Sequence, residues 1–428
     1  MTKRQPEQAS TDLQNNATCM DDFDPNSLPI DVAKARILES IEPLKSYVKI
    51  TIHNSLNRIL AKDIMSPINV PPHCNSAMDG YAIRSSDLES ANVRLKITQR
   101  IAAGEVGGQL ESGEAARIFT GAPVPEGADA VVMQENCKVD GDVLSVQQGH
   151  VQPGENLRQA GDDIQAGALI LTQGHRLKPQ DIGLLASIGM EAVSVSRRLR
   201  VSLLTTGDEL VQPGTELKAG QIYNSNYFTL RALLEGLQID VIDCGIVADD
   251  FEGTRRALTT AAAQSDCVIT TGGVSVGEED HVKAVVEQEG ELQLWKLAIK
   301  PGKPLACGKI ATTQFFGLPG NPVSAFVTFA LVVRPCLLRM LGGKQAAPKP
   351  FRVAAGFSAA ESGERQEYLR CQLVQDADGL ISLQALRNQS SGVAASLSQA
   401  DGLGIVPPYT AVAIGDNLEF IPFSELLN

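Results

Sequence analysis

Residues 266–281 have the sequence Asp-Cys-Val-Ile-Thr-Thr-Gly-Gly-Val-Ser-Val-Gly-Glu-Glu-Asp-His. The short apolar run 267–269 predicts a buried strand that ends at Gly272-Gly273, in a loop followed by three acids and a helical pattern. A strand that leads through a glycine-rich loop into a helix is typical of open α/β sheets, where loop and helix N–H groups bind anions. The stretch therefore predicts an α/β domain with an anion site in this loop.

Three known motifs nearly match the same loop. Gly272 and Gly277 have the spacing of a P-loop, but Glu278 and Glu279 replace the residues that would bind phosphate and magnesium. No Gly-x-Gly-x-x-Gly is present, so the loop has no dinucleotide fingerprint. The run 273–277 fits the Gly-x-Ser-x-Gly elbow of serine hydrolases, but His281 is the only histidine after Ser275, which disfavours a hydrolase.

Residues 200–319 have the pattern of a parallel sheet. Predicted strands at 201–204, 240–247 and 267–269 alternate with predicted helices at 227–237 and 251–264, for which residues 224–226 and 249–250 supply N-caps. Glu209, Asp249 and Asp280 each follow the carboxyl end of a strand, where open α/β folds bind ligands. Each acid is alternatively a cap or turn residue, but clustered carboxylates favour a Mg²⁺ site.

The segment after this sheet supplies cations and a special turn. Lys296 and Lys300 lie on a predicted strand and the turn after it, and an acidic chain that binds an anion needs such local cations. The alternative is that they are solvated turn lysines. The turn 316–324, with Pro319 and Pro322, leads into an apolar core helix that ends near residue 341, with Asn321 as N-cap and a kink at Pro335.

The flanking regions are β-rich. Helices are predicted at 30–44, 55–61 and 179–189, and short strands between residues 93 and 195. Asp79, in the loop 71–82, is a candidate functional acid or a turn residue, and the loops 120–129 and 161–164 contain Thr120 and Asp163. After a linker at 344–350, strands are predicted at 353–357, 368–374, 380–383, 412–414 and 418–421. There, Arg370 and Ser391 either reach an anionic ligand or are ordinary surface residues.

Length and composition limit the class of protein. The 428 residues are enough for about three domains. A net charge of −13 without a basic block excludes nucleic acid and anionic membranes as partners. The eight cysteines form no Cys-x-x-Cys pair and fit reduced, cytosolic thiols, with Cys244 and Cys267 in buried strands. Residues 1–24 are polar, lack a signal-peptide core and predict a disordered leader.

Five motifs occur in order along the chain. They are Asn75-Ser-Ala-Met-Asp79-Gly-Tyr-Ala, Thr120-Gly-Ala-Pro-Val-Pro, Thr206-Gly-Asp-Glu209-Leu, Gly272-Gly-Val-Ser-Val-Gly-Glu-Glu-Asp280 and Leu318-Pro-Gly-Asn-Pro-Val-Ser324. With these motifs the chain resembles the MoeA family of molybdopterin molybdenumtransferases and the E domain of gephyrin, from about residue 30 to the C-terminus. His73, Cys74 and His281 depart from the residues expected at those positions.

The resemblance implies a cytoplasmic homodimer of elongated, multidomain α/β plus β subunits. It implies a leader (1–24), an N-terminal region with a helical start and a β-rich insert (25–195), a central open parallel-sheet α/β molybdopterin-binding domain (196–343) and a small β domain (344–428). The substrates would be adenylated molybdopterin and molybdate. The metal would enter the dithiolene and the phosphoanhydride would be cleaved with Mg²⁺, releasing AMP and molybdenum cofactor.

The resemblance also implies roles for residues at the motif positions. The catalytic set would be Asp79, Glu209, Asp249, Asp280, Lys296 and Lys300, with Glu209, Asp249 and Asp280 as metal ligands. The substrate-binding set would be Thr120, Asp163, Gly272, Gly273, Ser275, Pro319, Pro322, Arg370 and Ser391. Molybdopterin adenylyltransferase and downstream molybdoenzyme machinery would be partners. Two alternatives stay open, a molybdopterin adenylyltransferase and a non-catalytic scaffold like gephyrin.

Overall fold

This computed structural model describes residues 27–88, 93–147, 150–273, 281–344 and 347–427. The chain forms two compact units. Unit 1 contains Met1–Val48, Asn57–Ile59 and Ser196–Asn428, and unit 2 contains Lys49–Leu56 and Leu60–Val195. The predicted leader lies outside the described residues. The four predicted segment boundaries stay predictions, although the first helix belongs here to the unit that contains the central sheet.

The described residues contain the following elements. The helices are α1 (Ile30–Ser40), α2 (Pro179–Ser187), α3 (Ser225–Gly236), α4 (Phe251–Gln264), α5 (His281–Glu289), α6 (Pro322–Thr328), α7 (Arg334–Met340), α8 (Ala395–Gln399) and α9 (Phe423–Leu427). The strands are β1 (Tyr47–Thr51), β2 (Ile64–Met65), β3 (Asn75–Ser76), β4 (Gly80–Ile83), β5 (Arg94–Ile101), β6 (Glu114–Ile118), β7 (Ala130–Met133), β8 (Cys137–Asp140), β9 (Val143–Val146), β10 (Leu157–Arg158), β11 (Leu169–Leu171), β12 (Ala192–Ser196), β13 (Arg200–Thr206), β14 (Leu210–Val211), β15 (Ile222–Tyr223), β16 (Asp240–Val247), β17 (Cys267–Thr271), β18 (Gly290–Lys296), β19 (Ile299–Lys300), β20 (Pro304–Ile310), β21 (Thr313–Leu318), β22 (Phe351–Ala355), β23 (Gln366–Gln375), β24 (Ile381–Ala385), β25 (Gly402–Val406) and β26 (Asn417–Pro422).

The central sheet of unit 1 has six strands in the order β16-β13-β17-β21-β20-β18. The first four strands are parallel, and β20 and β18 are antiparallel to their neighbours. This confirms the predicted α/β domain with an open parallel sheet, to which the structure adds two strands whose antiparallel direction was not predicted. It also places β16, β13 and β17, the strands that precede the predicted acids, beside one another.

Alternate side chains of the central strands pack into two separate cores. Leu203, Ile269 and Phe316 belong to the large core that also contains residues of α3 and α6. Leu204 and Val268 face the other side, in a core with residues of α4 and α5. Because successive strand residues point to opposite faces, the apolar residues of β13 and β17 pack on both faces of the sheet, and helices cover both faces.

Two helices of this domain begin at the predicted caps. The side chain of Asn224 accepts a hydrogen bond from the N–H of Tyr227, and that of Asp250 accepts one from the N–H of Gly253. Such caps satisfy N–H groups that have no partner within the helix. The predicted buried thiol is confirmed for Cys267, whereas Cys244 is only half-buried.

One continuous helix, Pro322–Met340, is apolar and long enough to cross a membrane, but 94% of it is buried inside the protein. This burial confirms the prediction of a core helix. A π-helical turn, Phe329–Val333, precedes Pro335, which has no N–H for a regular helical bond. Asn321 is the N-cap residue, but its side chain makes no capping hydrogen bond.

The C-terminal part of unit 1 is a second six-stranded sheet, β19-β23-β24-β22-β26-β25, with an added pairing between β23 and β25. The sequence did not predict β25, which contains two glycines. A Cβ at Gly404 would lie 2.9 Å from the sulfur of Cys371, so packing requires glycine there. The predicted strand 412–414 is wrong, because Val412 forms only an isolated bridge with Ala359.

Unit 2 is built on a third six-stranded sheet, β7-β4-β6-β5-β9-β8, together with three two-stranded pairs that include β10-β3 and β11-β2. The predicted helix 179–189 is confirmed as α2. The predicted helix 55–61 is wrong. Asn57 has φ of 63°, which a right-handed helix does not contain, and only a 3₁₀ turn at Ile52–Asn54 precedes it.

Candidate active site

The loops of the central sheet leave from one edge, which we call the carboxyl edge. Across β16, β13, β17 and β21 the last residues are in register, with the pairs Thr206–Val247, Thr205–Thr271 and Thr271–Leu318. The antiparallel strands add two more ends, because Lys296 at the end of β18 pairs with Pro304 at the start of β20. Residues 297–303, which contain Lys300, connect these two ends.

Acidic and basic residues of the carboxyl edge follow different strands of the sheet. Glu209 follows β13 and Asp249 follows the outer strand β16, so the acids lie toward one side of the edge. Lys296 ends β18 and Lys300 lies in the connection between β18 and β20, so both are toward the other side. The glycine loop after β17 and the proline turn after β21 lie between them. The described part of this edge therefore changes from negative to positive across six strands.

Gly272 and Gly273 are required by the way β17 ends beside β13. Their φ angles are 90° and 64°, and a Cβ at Gly272 would lie 2.6 Å from the carbonyl oxygen of Thr206. A Cβ at Gly273 would lie 2.7 Å from the side chain of Val282. The N–H of Gly272 donates to the carbonyl of Leu318 across the end of β21, at 3.2 Å. Ser275 and Asp280 lie outside the described residues.

The acids of the carboxyl edge are exposed and loosely held. The N–H of Asp249 donates to Oδ1 of Asp208 at 3.3 Å, which joins the loops after β16 and β13. The carboxylate of Glu209 folds back over Gly207, where an added Cβ would lie 2.6 and 2.8 Å from its two oxygens. Sequence reasoning quoted Asp208 within its motif but did not select it.

The acidic side chains of this edge suit a Mg²⁺ ion that is also bound by water and substrate. They do not form a site in which every ligand comes from the protein. Among the described residues no group of three His, Cys, Asp or Glu side chains is close enough to hold a metal. Mg²⁺ usually keeps several waters and binds one or two carboxylates together with substrate phosphates. Asp208, Glu209 and Asp249 offer carboxylate oxygens, so they fit that mode of binding.

Asn226 ties together the loops after β17 and β21. Its side-chain amide donates to Oγ1 of Thr271 at 3.0 Å and to the carbonyl of Gly320 at 2.7 Å. Thr271 in turn donates to the carbonyl of Pro319 at 3.1 Å, so the buried Pro319 is fixed from two sides. Pro322 occupies the first turn of α6. Sequence reasoning treated Asn226 only as a possible cap.

The cationic side of the edge is partly neutralised. Nζ of Lys300 lies 3.0 Å from Oε1 of Glu367 on β23 and stays 44% exposed. Lys300 also pairs with Glu367 in the register of β19 and β23. The lysine therefore has a fixed position, while its exposure leaves it accessible to a second anion.

Arg370 is buried within the C-terminal sheet region. It is 1% exposed, and burial lowers its pKa to about 10. The guanidinium donates to Oγ of Ser396 and to the carbonyls of Asn388 and Ser390. The alternative of an ordinary surface residue is therefore wrong for Arg370. The carbonyl of Ser391, next in the same loop, accepts the N–H of Val323 in α6 at 3.0 Å.

In unit 2 the structure brings Asp79 and Thr120 together. The N–H and the hydroxyl of Thr120 both donate to Oδ1 of Asp79, at 2.8 and 2.7 Å. These two hydrogen bonds, with a smaller effect of the charge of Arg117, hold the pKa of Asp79 below its usual range. The carboxylate is therefore exposed, ionised and held in one orientation.

Arg117 supports this pair and was missed in the sequence. Its guanidinium donates to the carbonyl of Gly80 at 2.8 Å and to Oε1 of Gln134 at 2.6 Å. It also stacks on Phe119 and Tyr81, with 4.6 and 5.1 Å from Cζ to the ring centroids. Since Gly80 follows Asp79 and Phe119 precedes Thr120, one side chain holds both strand ends.

Asp163 lines an open cavity of unit 2. Val70, Pro71, Asn75, Arg158 and Asp162 line the rest of this space. Oδ1 of Asn75 is buried, and no donor within the described residues reaches it. The motif that contains Asp79 thus places an amide oxygen beside a second predicted acid.

Comparison with known proteins covers nearly the whole chain. The model of the MoeA N-terminal region (domain I and II) matches residues 28–189, that of the probable molybdopterin binding domain 202–339, and that of the MoeA C-terminal region (domain IV) 352–423. The molybdopterin molybdenumtransferase of Haemophilus influenzae is 39% identical over 94% of this chain and 100% of its own length. That of Nostoc sp. is 36% identical over 82% of each chain.

A solved structure agrees with these sequence matches. The crystal structure of a molybdopterin biosynthesis MoeA protein from Pyrococcus horikoshii superposes with a TM-score of 0.81 at 27% identity, over 92% of this chain and 100% of that chain. The match includes both units and the C-terminal sheet. The chain therefore belongs to the MoeA family, the molybdopterin molybdenumtransferases.

Proposed function

We propose that this enzyme of molybdenum cofactor biosynthesis inserts molybdate into adenylated molybdopterin and releases AMP. The observation that carries the proposal is the carboxyl edge, where exposed acids, a glycine loop and lysines follow one another across one sheet. One proposed substrate contains a phosphoanhydride, and the other is an oxo-metal dianion. Their reaction needs acidic and basic side chains within the length of one substrate molecule. From β13 to β18 there are four strand spacings, roughly 19 Å.

The lysines would bind molybdate and the glycine loop would bind the phosphates. Lys296 and Lys300 provide positive charge for a doubly anionic species, and Glu367 keeps Lys300 in place. The positive φ angles at Gly272 and Gly273 let backbone N–H groups approach phosphate oxygens closely. In a partly desolvated site such donors stabilise charge that develops on the leaving phosphate.

One or two of the carboxylates of Asp208, Glu209 and Asp249 would hold Mg²⁺ together with the substrate phosphates. When bound, Mg²⁺ neutralises negative charge on the phosphoanhydride and polarises it toward cleavage. Asp79 is preorganised by Thr120 and stays ionised at neutral pH, so it would orient a donor group of the substrate or accept a proton from it. Asp280, Ser275, Asp163, Pro319, Pro322 and Ser391 would make further contacts, and Arg370 would position the loop of Ser391.

The enzyme is further proposed to be a cytoplasmic homodimer that receives its substrate from a molybdopterin adenylyltransferase and passes its product to molybdoenzyme assembly. The reduced thiols in the described part of the chain support a reducing compartment. Sedimentation equilibrium tests the dimer directly, and a mass equal to one chain would contradict it.

Release of AMP tests the reaction. Purified protein with adenylated molybdopterin, Mg²⁺ and molybdate should release AMP, and omission of molybdate should prevent cofactor formation. In a second assay the protein is incubated with ATP and no adenylated pterin. Consumption of ATP there would indicate an adenylyltransferase. Failure of folded protein to release AMP from the adenylated substrate would reject the proposal.

A further inference from the structure

The opposite end of the central sheet has a cavity that the proposed reaction does not use. Arg200 begins β13, Asp240 begins β16 and Asp266 directly precedes β17, so these residues lie at the amino edge of the sheet. A surface cavity of about 440 Å³ opens there, lined by Val48, Arg58, Arg197, Arg198, Arg200 and Asp240. All six residues belong to unit 1.

The lining of this cavity has an excess of positive charge. Arg197 makes a bidentate pair with Asp266, at 2.7 and 2.6 Å, and Arg198 lies 3.2 Å from Asp240. Arg58 and Arg200 form no ion pair within the part of the chain that the structure describes. Asp240 and Asp266 act on these two arginines through charge, but the pocket still has four arginines against these two aspartates, in a protein whose net charge is −13.

Arg58 is the most unusual of these residues. Its side chain is buried, at 8% exposure, and one of its nitrogens donates to the carbonyl of Ser196 at 2.6 Å. Burial and, secondly, the charge of Arg198 lower its pKa. A guanidinium has five N–H donors, and the charge of Asp240 compensates only part of the cost of burying this one. The guanidinium of Arg58 therefore lies beside a cavity in which a bound anion would offset the cost of burying its charge.

We propose that this cavity, which we call the amino-edge pocket, binds a small tetrahedral oxyanion of the phosphate class. Arginine forks match two phosphate oxygens at once, and Arg58 and Arg200 both line this cavity. Exposed arginines at the rim also attract a dianion to a protein that repels it overall. Inorganic phosphate and the phosphate group of a small metabolite share this chemistry. The inference does not depend on the reaction proposed for the carboxyl edge.

Phosphate binding to matched variants tests the pocket. Titration calorimetry of the full chain with inorganic phosphate, at constant ionic strength, should show saturable binding. Arg200→Gln removes an exposed arginine that donates no structural side-chain bond among the described residues, and it should weaken binding roughly tenfold. Arg94→Gln removes the same charge from an exposed position on β5 in unit 2, so it should leave the affinity unchanged.

Arg58→Lys provides a second variant, because it keeps the charge and loses the fork. It should weaken phosphate binding while the protein stays folded, as judged by its thermal unfolding. A phosphate monoester, titrated in the same way, distinguishes the sources, since tighter binding than phosphate would indicate a metabolite. Equal phosphate affinity in the parent protein, Arg200→Gln and Arg58→Lys, or no saturable binding in the parent protein, would overturn the proposal.

Discussion

Asp79 in unit 2 and the acids at the carboxyl edge of unit 1 are all exposed carboxylates, but they are held differently. Asp79 accepts two short hydrogen bonds from Thr120, and the surrounding loops are fixed by Arg117. The carboxylates of Glu209 and Asp249 instead accept no hydrogen bond from the residues that the structure describes. The first acid is therefore preorganised by its own unit.

This difference separates two roles for a carboxylate. An acid like Asp79, whose Oδ1 already accepts two protein hydrogen bonds, is suited to orient one group of a substrate or to take a proton from it. Acids with free oxygens are suited to a cation, because Mg²⁺ needs carboxylate lone pairs that are not otherwise used. The comparison therefore predicts that Mg²⁺ dependence belongs to the carboxyl edge and that orientation belongs to Asp79.

The largest effect is expected from Gly272→Ala, which would disturb the carboxyl edge itself. The φ of 90° and the 2.6 Å approach to the carbonyl of Thr206 leave no room for a methyl group. Backbone strain alone should cost on the order of 1–3 kcal/mol of unfolding free energy. Displacement of the loop should lower AMP release by more than about 100-fold.

Chemical unfolding and the AMP assay measure these two effects. Gly183→Ala is the matched control, because Gly183 lies within α2 and no atom is within 4 Å of its added Cβ. That control should unfold at the same or higher denaturant concentration. Normal activity in Gly272→Ala would show that β13 and β17 do not form the site.

Asp249→Asn and Glu209→Gln should each raise the Mg²⁺ concentration needed for half-maximal AMP release, by about 10- to 100-fold. The physical reason is that each removes a charged oxygen ligand while keeping the shape of the side chain. Asp79→Asn should lower the maximal rate without changing the Mg²⁺ requirement. If Asp79→Asn and Asp249→Asn shifted the Mg²⁺ titration equally, the assignment of separate roles would be wrong.

Thr120→Val should raise the pKa of Asp79 toward the ordinary aspartate value of about 3.9, since one of two donors is lost. The carboxylate would still be ionised at neutral pH, so we expect a rate loss of about tenfold that is the same at pH 6 and pH 8. Thr120→Ser keeps the hydroxyl and should keep most of the activity. A loss that grew as pH fell from 8 to 6 would indicate that Asp79 titrates near neutrality.

The same two hydrogen bonds link Asp79 to stability. A lowered pKa in the folded protein means that the Asp79–Thr120 pair stabilises the fold above the ordinary pKa of aspartate. That contribution is lost as pH falls through the lowered pKa. Thr120→Val should therefore destabilise the protein at neutral pH, and the difference should shrink as the pH falls below the ordinary pKa of aspartate, which unfolding curves over that pH range measure.

The elements that the sequence predicted well are those with strong local signals. β16 and α4 have the predicted bounds, because a strand of apolar residues and a capped helix are each recognisable within a few residues. β25 was missed because Gly402 and Gly404 look like turn residues in isolation. Their need for glycine comes from Cys371 and Ile421 on neighbouring strands, which the sequence does not place.

In the candidate site, too, the residues with a local sequence signal were predicted and the others were missed. Motifs identified Asp79 and Glu209, since these residues lie in loops with distinctive glycines and prolines. Asp249 was predicted because it follows the carboxyl end of a predicted strand. Asn226 and Arg117 were missed, because their partners Gly320 and Gly80 are 94 and 37 residues away in the chain. A role that consists of joining distant loops has no local pattern, so only the fold reveals it.

The smallest effect is expected from Arg117→Lys, which would test how Asp79 is held. Lysine keeps the positive charge but loses the planar stack on Phe119 and Tyr81 and the two directed hydrogen bonds. We expect AMP release to fall by about three- to tenfold with an unchanged Mg²⁺ requirement.

Arg100→Lys is the matched control for this variant, because Arg100 stacks on the same Phe119 ring at 4.7 Å. No hydrogen bond from Arg100 to the backbone of Gly80 exists among the described residues, so its replacement should have the smaller effect. Equal losses in the two variants would mean that ring stacking, rather than the bond to Gly80, positions Asp79. A raised Mg²⁺ requirement in Arg117→Lys would instead link Asp79 to the cation and remove the distinction between the two kinds of acid.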